Sequence, residues 1–343
     1  MTRKRGGKVT SVDVARHVGV SQSAVSRAFA PGPKHRGVSP ETRARILAAA
    51  DELGYRPNAM ARSLVGQRSR IIAVLFSYLD NPFYALALEK LCLALQEQGY
   101  HALVLMMPDT IEGTERTVSD LLGYQVDGII TASVELSSRL CQYCRDEGIP
   151  VVMFNRVQDD PTLSSVTTDN VTGGRLAARK LIEDGNRRIA LLAGWERAST
   201  NRDREFGFKA ELAAQDMPLH ARVVGHFHLG HTREAVAELM AAPVPPDAVF
   251  VANDYMALEA LSALRHRHGV RVPEDIAVIG FDDVPRAALP EFDLTTVRQP
   301  LDRMVENAVR VLVTSLETPG QEAEHLALVP RLIVRRSTRN PAR

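Results

Sequence analysis

The 343-residue chain has only three cysteines, one tryptophan and 5% aromatic residues. It also has no apolar run near the roughly 18 residues that a membrane-spanning helix needs. No apolar segment follows the basic start of the chain, so no secretory leader is expected and the protein reads as soluble and cytoplasmic, with no membrane partner. So few cysteines exclude a disulfide framework. Cys141 and Cys144 form a CxxC, but no second pair or His cluster stands beside it, and the stretch 138–147 reads as helix. Incidental buried thiols are expected there rather than metal or redox chemistry. Enzyme signatures are missing as well: there is no Walker-type phosphate loop, no nucleophile elbow and no HExxH. The expectation is a non-enzyme without cofactor or metal.

What is present is ample material for a packed core, with 45% hydrophobic and 24% charged residues. The length suits two or three domains. The net charge of +1 conceals an uneven distribution. Residues 1–70 hold fourteen Lys or Arg against four acids, a net of +10, which leaves −9 for the rest. A small basic head on a mildly acidic body reads as a nucleic-acid-binding module joined to something else.

The head has helical punctuation. Thr10 reads as an N-cap, with Asp13 three residues later to complete a capping-box-like pair. Val12, Val14, Ala15 and Val18 are the expected apolar face. Gly19 permits a tight turn, and Ser21 caps a second helix, 22–29, whose inward residues are Val25 and Phe29. Helix, glycine turn and capped second helix make a helix-turn-helix pattern. Gln22, Ser23, Ser26 and Arg27 lie exposed near the start of the second helix, with side chains able to read base edges in a major groove. Ser39-Pro40-Glu41 opens a third helix, with Ile46, Leu47, Ala50 and Leu53 inward, ending at Gly54. The stretch 59–64 is too short to be a stable helix alone and is expected to order against DNA or a partner chain.

From residue 71 short apolar runs alternate with amphipathic helices. One series covers 71–76, 83–98, 102–106, a helix near 112–122, 128–131 and 151–154. A second covers 173–184, 188–192, 202–214, 223–224, 232–240, 248–251, 254–266 and 277–280. This alternation implies βαβ units in mostly parallel sheets, and two series imply two sub-domains with a cleft at the strand C-terminal ends.

Taken together, the ordered run Val9-Thr10, Asp13-Val14-Ala15, Gly19-Val20-Ser21, Val25-Ser26-Arg27, Ser39, Glu41-Thr42-Arg43, Leu53-Gly54-Tyr55, Pro57-Asn58, Ala61-Arg62 and Leu64 resembles the lactose repressor family. The body adds Asn81-Pro82-Phe83, Asn155-Arg156, Asp169-Asn170, Gly173-Gly174, Arg204, Gly207-Phe208, Ala252-Asn253-Asp254, Gly280-Phe281-Asp282-Asp283, Gln299-Pro300 and Arg336-Ser337-Thr338. The resemblance implies an all-α helix-turn-helix head on an α/β body of two parallel-sheet sub-domains, like type I periplasmic binding proteins. It implies these segments: a DNA-binding domain, 1–57; a hinge helix and linker, 58–69; a first effector sub-domain, 70–164 plus 298–326; and a second, 165–297 plus 327–338. Thr10, Ser21, Gln22, Ser23, Ser26, Arg27, Asn58, Ala61, Arg62 and Leu64 would meet double-stranded operator DNA, with Leu64 as a minor-groove wedge at the centre of a dimer's site. Phe83, Asn155, Thr200, Arg204, Phe227, Asn253 and Asp282 would line the effector pocket.

Planar polar clamps with an aromatic face suit a sugar, and a purine would use similar groups. Asn155 stands where some members of the family carry Asp, which shifts the ligand preference. The basic loop 30–37 is longer than usual for the family. A homodimer is expected, since one short reading helix covers only a few base pairs. No heptad-like tail follows Thr338, so a tail-built tetramer is not expected. His226, His228 and His231 form an HxHxxH without a usual zinc spacing and read as pocket-edge or exposed residues, with metal or pH sensing as the alternative. Two rival classes stay open: an enzyme turning over a bound sugar, and a transport or chemosensory sugar-binding protein.

Overall fold

The computed structural model describes residues 9–29, 37–56, 69–107, 117, 121, 123–132, 138–158 and 160–339. The chain divides into two compact units, 1–70 and 71–343. The expected hinge at 58–69 falls almost wholly outside the described residues, as does the basic loop 30–37. Of the helix expected near 112–122, only Thr117 and Leu121 are described, both helical.

In the first unit, α1 (Ser11–Val18) opens with a complete capping box: Thr10 Oγ1 accepts from Asp13 N, and the Asp13 carboxylate accepts from Thr10 N at 3.0 Å. Gly19, at φ 75°, closes the helix in the left-handed conformation that a side chain disfavours. α2 (Gln22–Ala28) starts at Ser21, whose hydroxyl accepts from Ala24 N at 3.2 Å. α3 (Pro40–Glu52) starts at Ser39, with proline in the first turn. Val14, Val25, Ala28 and Ile46 are fully buried where the three helices meet, and Phe29 lies edge-on to Tyr55. Val12 departs from expectation: it is 44% exposed, because an eight-residue helix has room for a single inward stripe and Val14, Ala15 and Val18 fill it. Arg43 and Arg45 of α3 donate to Ala28 O and Val18 O, both at 3.0 Å, so two of the head's cations serve the C-terminal ends of α2 and α1.

The second unit begins with β1 (Ile71–Phe76), α4 (Pro82–Glu97), β2 (His101–Met106), β3 (Gly128–Thr131), α5 (Ser138–Asp146), β4 (Val151–Phe154), β5 (Ser164–Thr168) and α6 (Asn170–Glu183). It continues with β6 (Ile189–Ala193), α7 (Ser199–Ala213), β7 (Ala221–Val224), α8 (Leu229–Ala241), β8 (Ala248–Val251), α9 (Asp254–Arg267) and β9 (Ala277–Asp282). It closes with β10 (Thr295–Arg298), α10 (Leu301–Glu317), β11 (His325–Leu328) and β12 (Arg331–Ile333). Two six-stranded sheets result, in the orders β11-β5-β4-β3-β1-β2 and β12-β10-β9-β8-β6-β7. Every pairing is parallel except β10 with β12. Helices cover both faces, so strands such as IIAVLF in β1 are apolar without interruption: Ile72 and Val74 enter one core, Ala73 and Leu75 another.

The sub-domain boundaries differ from the expected ones. A break at 164/165 would cut β5 at its first residue, yet all of β5 pairs within the first sheet, and the chain crosses over only after Thr168. The return at 326/327 likewise falls inside β11, which stays in the first sheet to Leu328. Strand pairing decides the boundary, and the polar string SSVTT hides it. Cys141 and Cys144 share the buried face of α5, and burial pushes the Cys144 thiol up to about 12. Such a thiol is a packing group rather than a nucleophile. Among the described residues no cluster of His, Cys, Asp or Glu has the geometry to hold a metal ion, and no helix is long and apolar enough to cross a membrane.

Candidate functional site

Two sites emerge, one in each unit. On α2 the residues Gln22, Ser23, Ser26 and Arg27 are all exposed, while Val25 and Ala28 turn inward and fix the helix against its neighbours. Gln22 Nε2 donates to Ser11 Oγ at 3.1 Å, and the Ser21 and Ser23 hydroxyls are 2.9 Å apart. The helix therefore presents a row of hydrogen-bonding groups over a rigid base, as base-edge readout requires. Thr10 and Ser21 spend their side chains on capping. Asn58, Ala61, Arg62 and Leu64 lie outside the described residues.

The second site is a narrow, closed cleft in the second unit. Its position follows from the sheets. Both have the strand order in which the chain switches direction beside β1 and β6, and ligands bind beyond the strand C-termini at such points. Phe83 follows β1, Asn155 follows β4, Thr200 and Arg204 follow β6, Phe227 follows β7, Asn253 follows β8, and Asp282 ends β9. All seven line this one cleft. Asn253 has a double role, since its Oδ1 also caps α9 by accepting from Met256 N at 3.0 Å. Several of these residues have positive φ: Asn155 (64°), Phe227 (54°) and Asp282 (126°). Such backbone is strained and persists where the surroundings impose it. Gly194 is part of that imposition, because a Cβ there would lie 2.1 Å from the Phe227 ring.

Arg204 organises the second lobe's wall. Its guanidinium donates to Asn170 Oδ1 at 2.9 Å and Ala252 O at 2.6 Å, stacks over Phe281 at 3.6 Å, and stands 3.6 Å from Asp282. Burial pushes the Asp282 carboxyl up, while Arg204 and hydrogen bonds from Gln299 and Asn81 pull it back. Asn81 belongs to the first lobe and lines the cleft together with Asp282. Ser199 Oγ, accepting from Val157 N at 3.0 Å, ties the two lobes together.

The resemblance supplied no pocket role for Tyr78, Asn81, Tyr84 or Arg156, yet all four line the cleft. Arg156 is 1% exposed and donates to Tyr84 Oη at 3.1 Å and Tyr78 Oη at 3.0 Å. Asn155 Nδ2 donates to the same Tyr84 Oη at 3.1 Å. Burial and the neighbouring Tyr84 push the Tyr78 phenol up, so it stays neutral. The sequence did carry a signal for two of these residues, because Asn81 and Arg156 sit beside the landmarks at 83 and 155.

Two buried atoms of the cleft have no hydrogen-bond partner, Asn155 Oδ1 and Arg156 Nη1. Unpartnered buried polar atoms are costly and uncommon, and at a cleft they mark where a ligand's groups belong. A larger open groove between α4 and α10 lacks this signature: its two cations are paired, Lys90 to Asp302 at 2.7 Å and Arg310 to Glu324 at 2.6 Å. The three histidines cluster beside the cleft, ring centres 4.9 and 5.2 Å apart, and His228 Nδ1 caps α8 by accepting from Gly230 N at 3.2 Å.

Comparison with known proteins gives matches along the whole chain. A family model described as bacterial regulatory proteins, lacI family, matches residues 11–58, and one of periplasmic binding protein-like domains matches residues 178–338. The chain is 36% identical to the HTH-type transcriptional regulator CelR of Thermobifida fusca, over 98% of this chain and 100% of CelR. A solved CelR–cellobiose complex matches with a TM-score of 0.73 at 34% identity, covering 96% of this chain and 100% of that one. The lac repressor dimer bound to operator and the anti-inducer ONPF matches with a TM-score of 0.86 at 27% identity, covering 97% and 99%.

Proposed function

This chain belongs to the lacI family of bacterial regulatory proteins and is a helix-turn-helix transcriptional regulator; we propose that it represses genes from a near-palindromic operator as a homodimer. In this reading Gln22, Ser23, Ser26 and Arg27 contact the operator's bases, Thr10 and Ser21 hold the helix ends near phosphates, and Asn58, Ala61, Arg62 and Leu64 act at the operator centre. A small polyhydroxylated metabolite, a sugar or sugar derivative, occupies the cleft between the lobes. Phe83 and Phe227 supply apolar walls for sugar-ring faces, and Asn155, Thr200, Arg204, Asn253 and Asp282 supply polar partners for hydroxyls. The cellobiose bound by a relative supports this class of ligand.

The observation that carries the proposal is the pairing, in one chain, of an exposed polar α2 face with a cleft holding two orphaned polar atoms. The body senses and does not catalyse, and the protein acts in the cytoplasm, where its DNA lies. Its mechanism is linkage. A ligand that favours one lobe closure shifts operator affinity by the difference of its affinities for the two states and no more.

The test is selection on random duplex DNA with purified protein, repeated with a library of sugars. The expected outcome is a two-fold symmetric site whose affinity Arg27→Ala lowers about 10- to 100-fold, the cost of one base-reading contact. Salt-sensitive binding without sequence preference would sink operator reading.

A further inference from the structure

The cleft has an unbalanced charge. Its lining carries two guanidiniums, Arg156 and Arg204, and one carboxylate, Asp282. That carboxylate is already engaged, by Arg204 at 3.6 Å and by Gln299 at 2.8 Å. Asp254 lies behind it, bound by Thr296 Oγ1 at 2.6 Å and Val284 N at 3.0 Å, and burial favours its neutral form. Arg156 therefore has no carboxylate partner among the described residues. Its neighbours are two phenols, whose rings also lie 5.9 Å from the guanidinium carbon, and an amide, Asn155. One of its terminal nitrogens bonds to nothing, although the side chain is 1% exposed.

A buried cation without a counter-ion is expensive, and a guanidinium's fork matches a carboxylate or phosphate best. We propose that the effector carries an acid group, seated on Arg156, with Asn155 Oδ1 accepting a hydroxyl of the same ligand: an acid sugar such as a uronic or aldonic acid, rather than a neutral one. This rests on the reading of the cleft as the sugar site and narrows its ligand class. Asn155 decides the charge of the pocket. An Asp at this position would supply Arg156 with a fixed counter-ion and make the cleft neutral. Its φ of 64° is one that Asn and Asp both tolerate.

The experiment pairs each neutral sugar with its acids: ribose and ribonate, glucose with glucuronate and gluconate, galactose and galacturonate, cellobiose and cellobionate. Calorimetric affinity for the full-length protein is measured along with operator affinity. The expected result is that one acid binds at least about 30-fold more tightly than its neutral partner, a typical value for a buried charge pair. Arg156→Gln should collapse that acid-over-neutral ratio by tenfold or more, and Asn155→Asp should invert it. A fold defect alone would weaken both members of a pair alike. If the neutral sugar binds as tightly as its acid, or if both variants leave the ratio unchanged, the acid proposal is overturned while sugar sensing stands. If no member of any pair binds or moves operator affinity, both readings fall.

Discussion

Asp254 illustrates what burial does to one side chain. It is fully buried at the start of α9, and burial together with the nearby Asp282 pushes its carboxyl up, to about 7. The folded state thus holds this proton more tightly than the unfolded state does, whose value is the ordinary 3.8. The sign follows: the group's contribution to stability is full below about 3.8 and is lost as pH rises through 7. Asp282 shifts in the same direction. Asp254→Asn cannot ionise, and it keeps an acceptor for Thr296 or Val284. Its urea midpoint is expected to fall less between pH 4.5 and pH 7.5 than that of the wild type; parallel profiles would contradict the assignment. None of this was legible in the sequence, where Asp254 closes the Ala252-Asn253-Asp254 landmark but carries no sign of its burial. The candidates Phe83, Arg204 and Asp282 were legible, because each stands in a recognisable motif.

The contact between α6 and α7 shows an element constrained by its neighbour. A Cβ on Gly174 would lie 2.1 Å from Arg204 O, and one on Gly207 would lie 2.0 Å from Val171 O. Two backbones meet there without room for a methyl group, and that closeness sets where α7 delivers Arg204. Gly207→Ala is expected to cost about 1–3 kcal/mol through overpacking, read as a lower urea midpoint, and to weaken effector binding. Gly123→Ala, with nothing near its added Cβ, serves as the control. The glycines at 173, 174 and 207 were visible as landmarks, yet what they pack against was not. Helix starts in the head were the most legible elements, since Thr10, Ser21 and Ser39 all cap as side-chain chemistry dictates, whereas the cap at Asn81 was seen only in the fold. Strand β5 escaped because SSVTT is polar in composition but wholly buried, and α10 escaped although its apolar stripe was there to read.

At the scale of the molecule the question is how the cleft speaks to the chain crossings between lobes. Gln299, in the crossing after β10, donates to Asp282 at 2.8 Å and accepts from Thr168 Oγ1 at 2.6 Å, where the chain crosses after β5. A ligand that takes Asp282 as a partner competes with this bond and so bears on the crossings. Thr168→Val removes the far end of the relay without touching the cleft lining. It is expected to leave effector affinity within about threefold while changing the effector's influence on operator affinity by a factor of about 2–30. Calorimetry with and without operator measures both. Reciprocity supplies an internal check, because the factor by which effector alters operator binding must equal the factor by which operator alters effector binding.

The sequence by itself determined the basic head and acidic body, the helix-turn-helix with its caps, the alternation that makes two parallel sheets, and most of the cleft's residues. These are properties of short windows, of charge sums and of recurring motifs, and they need no partner from elsewhere in the chain. Only the tertiary structure decided which polar groups meet. Tyr84 follows β1 and Arg156 follows β4, far apart along the chain, and parallel pairing around β3 brings those strand ends together. The cost of leaving Arg156 Nη1 unpartnered arises only once the fold has taken it out of water, so the strongest sign of what this protein binds lies in an atom that looks ordinary in the sequence.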